Sequence, residues 1–455
     1  MGTTARWVGV LCAATMALAP VEATGQVRIP RPPIDGLILR APDFQIVPRV
    51  RPTLAATFET TCKADDPDLL WAKLPRTLRE VPLRQMIGQL LVVSYGGNTE
   101  NARGVGLAAD ALRRSAIGGV LTFRHNVKSA DDIAAINTRL SNAHPVLPAF
   151  VAVDQEGGFV ARIKESEGAP KIPTAKDMAS RTPLAAKAAY RAMAEHLATL
   201  GFTVNFGPVV DLAVNPDNPV IARFGRAYGK TAQTVVTYAT GFVEAHREAG
   251  LSTALKHFPG HGASTGDSHL GVTDVSGKWT RNELLPFQTM IENGKADMVM
   301  MGHLMLDGVT GPDDRPASLS PNAIEGLLRG TLCYAGLVVS DDLTMDAIED
   351  RFGIPEAARL MLEAGGDIAL ISLPAEKGMG LVKEVTDHLE AAAKADPALA
   401  YKIRRAYARV VNHKLDMSDA RDAAPGTLTA VPPTHRAGLA PDDIVAFAAS
   451  RLASR

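Results

Sequence analysis

The most concentrated chemistry in the sequence is the run Lys256-His257-Phe258-Pro259-Gly260-His261-Gly262, followed four residues later by Asp267-Ser268-His269. His257 and His261 have the spacing that puts two imidazoles on one face of a helix for metal binding. Pro259 and Gly260 stand between them and break any helix there, so no metal is expected. The alternative is a loop that proline and glycine shape so that backbone and side chains approach a ligand. Asp267 and His269 are two residues apart, close enough for the carboxylate to hold the imidazole and raise its basicity. A histidine partnered in this way exchanges a proton near neutral pH. A capped surface turn is the competing meaning of that tripeptide.

A second concentration is Gly336-Leu337-Val338-Val339-Ser340-Asp341-Asp342-Leu343-Thr344-Met345. An apolar run that stops at paired acids delivers a carboxylate to a strand end, where it can attack an electrophilic carbon such as the anomeric centre of a sugar. Taken alone, an aspartate after a strand is more often the cap of the next helix. Its meaning therefore depends on what else reaches the same place.

The elements that must position these residues are legible as eight short apolar or β-branched runs: Leu90–Tyr95, Gly118–Phe123, Ala149–Asp154, Thr203–Asp211, Ser252–His257, Asp297–His303, Leu337–Asp341 and Asp367–Ser372. Amphipathic stretches such as Pro183–Leu200, Ala232–Ala249, Asn322–Arg329 and Pro355–Ala364 fall between them. Strands alternating with helical patterns give a parallel sheet with covering helices, and eight such units predict an α/β fold of the closed (β/α)8 TIM-barrel type. An open doubly wound sheet has the same alternation. The barrel is favoured because run after run ends in a reactive cluster: Asp154-Gln155-Glu156-Gly157-Gly158, Asp211, Lys256-His257, Gly302-His303 and Ser340-Asp341-Asp342. In a barrel these strand ends ring one mouth and converge on one pocket.

The bulk composition narrows the partners. The chain has 455 residues, 46% hydrophobic and 21% charged, with a formal net charge of −1, so it has no electrostatic footprint for nucleic acid or an anionic membrane. Arg6 precedes the apolar run Trp7–Ala19 and then Val21-Glu22-Ala23. This predicts a secretory signal peptide over residues 1–23, too short to span a bilayer, and a periplasmic or secreted protein. An uncleaved anchor is the alternative. Cys12 follows Val10-Leu11 and lacks the small residue expected before a lipid-modified cysteine. Cys62 and Cys333 remain after cleavage, free to pair in an oxidising compartment, although Cys333 also suits a buried apolar position. Proline-rich composition marks residues 24–75 as an N-terminal arm or linker. A barrel then occupies 76–415, and 416–455 form a C-terminal helical appendage.

The order and spacing of these motifs resemble glycoside hydrolase family 3, and within it the single-domain β-N-acetylhexosaminidases, from about Pro82 to Leu415. The resemblance implies that Asp341 is the nucleophile, with Asp342 in a variable position. It implies that His269 is the acid/base, tuned by Asp267, and that Asp154 and Arg162 hold sugar hydroxyls, with Lys256 and His257 as a further binding pair. The family's binding arginine matches Arg226 within Ile221-Ala222-Arg223-Phe224-Gly225-Arg226-Ala227-Tyr228-Gly229, a segment two residues longer than usual, in which Arg223 competes. The implied activity is a retaining β-N-acetylglucosaminidase that acts without cofactor, as a monomer, on peptidoglycan-derived or chitin-type amino-sugar oligosaccharides. A substrate-assisted route, in which Asp341 and Asp342 act as a pair, is the rival mechanism. A β-glucosidase or β-xylosidase, a phosphorylase and a non-catalytic sugar-binding wall protein are the rival functions.

Overall fold

In the computed structural model the described residues are 67–267, 271–311, 313–372 and 375–422. The expected signal peptide over 1–23, the Pro-rich residues up to 66 with Cys62, His269, and residues 423–455 of the expected appendage lie outside them.

Eight parallel strands carry the architecture: β1 Leu91–Ser94, β2 Gly119–Thr122, β3 Phe150–Val153, β4 Val204–Asn205, β5 Ser252–Phe258, β6 Met298–Met301, β7 Leu337–Ser340 and β8 Ala369–Ile371. They hydrogen-bond in the order β7-β6-β5-β4-β3-β2-β1-β8. A parallel bridge between Val339 and Ile368 brings β7 against the residue preceding β8 and nearly closes the ring. The Ser340 and Leu343 amides reinforce it by donating to Ile368 O and Leu370 O, each at 2.9 Å. Residues on both faces of these strands are buried, because side chains fill the interior while helices cover the outside. Runs such as Leu91-Val92-Val93 and Leu337-Val338-Val339 are therefore apolar throughout rather than alternating.

All eight expected runs hold a barrel strand. In Thr203–Asp211 only Val204–Asn205 pairs as a strand, since Pro208 lacks the N–H needed to continue the ladder. The amphipathic stretches become the helices Pro183–Thr199 and Ala232–Glu248, the π-type helix Asn322–Thr331, and the helix Ile354–Glu363. Thr182 and Thr231 cap the first two, their hydroxyls accepting the Ala185 and Thr234 amides.

The packed body extends beyond the boundaries read from composition. Pro67–Lys73 is helical, within the stretch assigned to the arm. Its Leu70 carbonyl accepts from Asn412 Nδ2 at 3.1 Å, and the Trp71 ring lies 6.2 Å from that of Tyr407. Both contacts are with the helix Pro397–Asp422, which runs through the 415/416 boundary without a break. The same helix buries Lys414 under the amino ends of the strands, where its Nζ donates to Gln89 Oε1 at 2.8 Å and Gly118 O at 2.6 Å. The ammonium also lies 4.7 Å from the Phe150 ring centroid. Cys333 is disulfide-bonded, with its partner outside the described residues. Among the described residues no helix is long and apolar enough to cross a membrane.

Candidate active site

Parallel strands put every carboxyl end at one rim, so residues far apart in sequence meet there. Asp154 follows β3 directly, Lys256 and His257 end β5, His303 lies just beyond β6, and Asp341 follows β7.

Around β3 and β5 the rim is built from charge. Lys256 Nζ lies 2.9 Å from Asp154 Oδ1 and 2.7 Å from Glu156 Oε1. Arg226 donates from Nε and Nη2 to the two Glu156 oxygens at 2.9 and 2.8 Å, a planar fork matched to a carboxylate. Burial opposes ionisation of Glu156, but Arg226 and Lys256 outweigh it and hold its carboxyl well below the usual range. Burial likewise pulls Lys256 down, while Asp154 and Glu156 push it up further, so the ammonium stays charged. Arg162 joins through Nη2, 3.5 Å from Asp154 Oδ2, and its guanidinium stands over the Phe123 ring at 5.5 Å. The Arg162 Nε is buried with no acceptor among the described residues. Of the two candidate arginines, Arg226 reaches this cluster, whereas Arg223 is exposed.

The β5 loop is held from beneath by two acidic side chains. Asp211, fully buried, takes the His257 ring at Nδ1, 2.8 Å away, and the His261 amide at 2.7 Å. Its partner His257 and the loop amides outweigh the effect of burial and keep Asp211 below the ordinary aspartate value. Glu283, also fully buried, accepts the Gly262 and Ala263 amides on Oε2 at 2.8 and 3.2 Å. Asn218 Nδ2 donates to His261 O, Gly262 O and Ser264 Oγ at 2.8, 3.1 and 3.0 Å. Burial, and the neighbouring His257, push the His261 imidazole down to about 4, so it is neutral at physiological pH. The His261 Nδ1 bonds the Ser264 hydroxyl at 2.6 Å, and the two histidine rings meet edge to face at 5.6 Å. Each ring thus has its Nδ1 committed to a neighbour. No group of three or more His, Cys, Asp or Glu among the described residues is placed to hold a metal.

The paired acids after β7 are used differently. Asp342 Oδ1 accepts Thr344 N, Thr344 Oγ1 and Ser372 N at 3.0, 2.8 and 3.1 Å, while its Oδ2 bonds the Ser372 hydroxyl. Both oxygens of Asp342 thus tie β7 to β8. Asp341 donates its amide to Met301 O at 2.9 Å and accepts the Asp342 amide on Oδ1 at 2.9 Å. Its charge acts on the His261 ring, which joins the β7 end to the β5 loop. His303 donates from Nε2 to Asp342 O at 2.9 Å and bonds Ser318 Oγ through Nδ1 at 2.7 Å, fixing the turn from the β6 side.

The structure therefore brings Asp154, Arg162, Arg226, Lys256, His257 and Asp341 to one rim. Asp267 ends the described part of the β5 loop, half-buried, and His269 lies just outside it. Sequence reading did not assign roles to Glu156, Asp211, Asn218, His261, His303 or Glu283. Glu156 had a signal, two residues after Asp154 on a glycine-flanked turn. Glu283 had none, because it opens a helical segment with an ordinary amphipathic pattern.

Residues 82–411 match the glycosyl hydrolase family 3 N-terminal domain. A protein named β-hexosaminidase LpqI from Mycobacterium tuberculosis is 36% identical over 342 residues, covering 73% of this chain and 82% of that protein. A solved structure described as a glycoside hydrolase family 3 β-N-acetylglucosaminidase from Paenibacillus sp. str. FPU-7 superposes with a TM-score of 0.68 and 32% identity. It covers 79% of this chain and 66% of its own. A β-N-acetylhexosaminidase from Beutenbergia cavernae gives a TM-score of 0.66 at 30% identity over 74% of this chain and 99% of that one.

Proposed function

The chain belongs to glycosyl hydrolase family 3, and from that premise we propose that it is a retaining β-N-acetylglucosaminidase that removes terminal N-acetylglucosamine from amino-sugar oligosaccharides. The relatives named as hexosaminidases support the sugar. The observation that carries the reading is the rim itself. Lys256, Arg226, Asp154 and Glu156, joined by ion pairs at 2.7–2.9 Å, with a buried Arg162 Nε that has no acceptor among the described residues, supply donors and acceptors for sugar hydroxyls at the same strand ends as Asp341.

In this reaction Asp341 attacks the anomeric carbon, and the bond to the leaving oxygen breaks as His269 delivers a proton to it. His269 then takes a proton from water, which displaces Asp341 and releases the sugar with its configuration retained. Asp267 holds the histidine and raises its basicity. The choice of Asp341 over Asp342 is supported by the hydrogen bonds that engage both Asp342 oxygens, since a carboxylate spent on Thr344 and Ser372 is a poor nucleophile.

The substrate class is peptidoglycan-derived or chitin-type oligosaccharides, met in the periplasm or outside the cell by a monomer. The 1–23 signal sequence supports that location, as does the disulfide at Cys333. Turnover of an aryl N-acetylglucosaminide against the matching glucoside, by wild type, Asp341→Ala and His269→Ala, tests the activity. Both variants are expected to lose it, and a preference for the glucoside overturns the sugar assignment. A 2-fluoro sugar is expected to label Asp341, whereas inhibition by a thiazoline without any label overturns the covalent route.

A further inference from the structure

The turn after β5 is built around one side chain that the mechanism above does not use. Glu283 comes from the segment Arg281–Leu284, 21 residues after Gly262, and its carboxyl reaches under Gly260-His261-Gly262-Ala263. Two of the loop's amides end on its Oε2, at 2.8 Å from Gly262 and 3.2 Å from Ala263. The two glycines are the other half of that fit. A Cβ on Gly260, which sits at φ +118°, would lie 2.7 Å from Glu283 Cβ. A Cβ on Gly262 would lie 2.9 Å from Glu283 Oε2 and 1.9 Å from Leu212 O. At Gly260 the approach of Glu283 adds to the demand of the turn for glycine, whereas at Gly262 the Leu212 carbonyl already excludes any side chain. From the same segment Trp279 Nε1 donates to Pro259 O at 3.1 Å, fastening the loop one residue earlier.

The contrast with Asp211 on the other side of the loop is informative. Asp211 has the His257 imidazole as partner, whereas Glu283 has no cation in contact and its buried Oε1 has no hydrogen-bond partner among the described residues. A fully buried carboxyl in that condition costs stability, and such exceptions need an explanation. Holding two loop amides is that explanation.

We propose that Glu283 is a positioning residue of the active site, which acts through the Gly262 and Ala263 amides to set the path of the β5 loop through His261 toward Asp267, the carboxylate that the proposed function pairs with His269 as a dyad. The inference rests on the reading of that dyad as the acid/base. Burial pushes the Glu283 carboxyl up to about 8, and the charge of Asp211 adds to it, against the two amides that favour the ionised form. The groups facing it are Asp211 from the β4 side, with His257 and His261 bonded to Asp211 from β5 and its loop. Below that pH the acid is neutral and still offers Oε2 to the loop. Above it a second negative charge appears beside Asp211, beneath the histidines.

The test uses the full chain with Glu283→Ala and Glu283→Gln. Backbone hydrogen exchange over residues 259–267 is expected to quicken in Glu283→Ala and to stay near wild type in Glu283→Gln, whose amide oxygen still accepts both N–H groups. On an aryl N-acetylglucosaminide, Glu283→Ala is expected to lower kcat by about 100-fold with KM little changed, the signature of a displaced catalytic group. Glu283→Gln is expected to keep most of kcat and to lose the alkaline change near the titration of Glu283. Unchanged exchange in a folded Glu283→Ala overturns the inference whether or not the enzyme turns over this sugar. So does a Glu283→Gln variant that speeds exchange over the loop as much as Glu283→Ala. Wild type inactive on the sugar overturns the functional reading alone, because the exchange measurement stands without it.

Discussion

Lys256 and Lys414 are both buried, one at each end of the same barrel, and they are held in opposite ways. Lys256, at the carboxyl ends of the strands, lies against Asp154 and Glu156, which keep it charged. Lys414, at the amino ends, meets among the described residues an amide oxygen, a backbone carbonyl and the Phe150 ring, and burial pulls it down to about 7. Desolvation is the same penalty at both ends. What differs is whether the fold supplies counter-charge, and it does so at the rim that carries the proposed site. A charged rim built in advance can bind sugar hydroxyls without reorganising, whereas the floor needs only to close the barrel against the helix Pro397–Asp422.

The sharpest way to break this comparison is Asp341→Ala. Turnover of an aryl N-acetylglucosaminide is expected to fall by at least about a thousandfold, with the melting curve nearly unchanged. Normal turnover would remove the rim as the catalytic centre. Next in size is Lys256→Met, which leaves Asp154 and Glu156 short of counter-charge. Losing one partner of a buried ion pair costs about 3–5 kcal/mol, so urea denaturation should show a large loss together with a raised KM. A variant as stable as wild type would mean that the cluster is not held as described.

A smaller effect is expected from Asp342→Asn, which keeps an acceptor for Thr344 but loses the charged bond to Ser372. About 1–3 kcal/mol of stability should go while turnover persists. An effect on turnover as large as that of Asp341→Ala would shift the nucleophile assignment. The smallest functional effect belongs to Lys414→Met, whose turnover should match wild type. Its signature is in pH. In the folded chain Lys414 titrates near 7, and in the unfolded chain near 10.4. Between those values the unfolded state holds the extra proton, so wild-type stability gains from rising pH there. The cost of the buried charge is full below pH 7 and fades toward the unfolded value. Lys414→Met should therefore compare more favourably with wild type at pH 6 than at pH 10, and equal differences in melting temperature at the two would refute a charged Lys414 at the floor.

The barrel strands were legible because a strand buried on both faces is an uninterrupted apolar run, and Leu337-Val338-Val339 or Phe150-Val151-Ala152-Val153 admits few other readings. Strand-end chemistry was legible for the same reason: a polar residue that ends such a run marks the rim. Asp154, Lys256-His257 and Asp341 each announced themselves in this way. The ends of the body were not legible. Proline density hid the helix Pro67–Lys73, whose place is fixed by Trp71 and Leu70 meeting a helix more than three hundred residues later.

By itself the sequence determined the alternation of strand and helix and the polar residues at the strand ends, which follow from local periodicity; it favoured a barrel over an open sheet, and its motifs resembled the family. Between neighbours of the same type the resemblance implied a choice, and only the tertiary structure shows how their surroundings differ. Arg226 rather than Arg223 reaches Glu156, and Asp342 rather than Asp341 is consumed by Ser372. Lys256 keeps its charge while Lys414 is pressed toward losing it, and Glu283 lies beneath a loop it shares no motif with. The physical reason is common to these cases. A side chain's charge and its availability are set by burial and by partners across the fold, and neither is a property of the residues beside it in the chain.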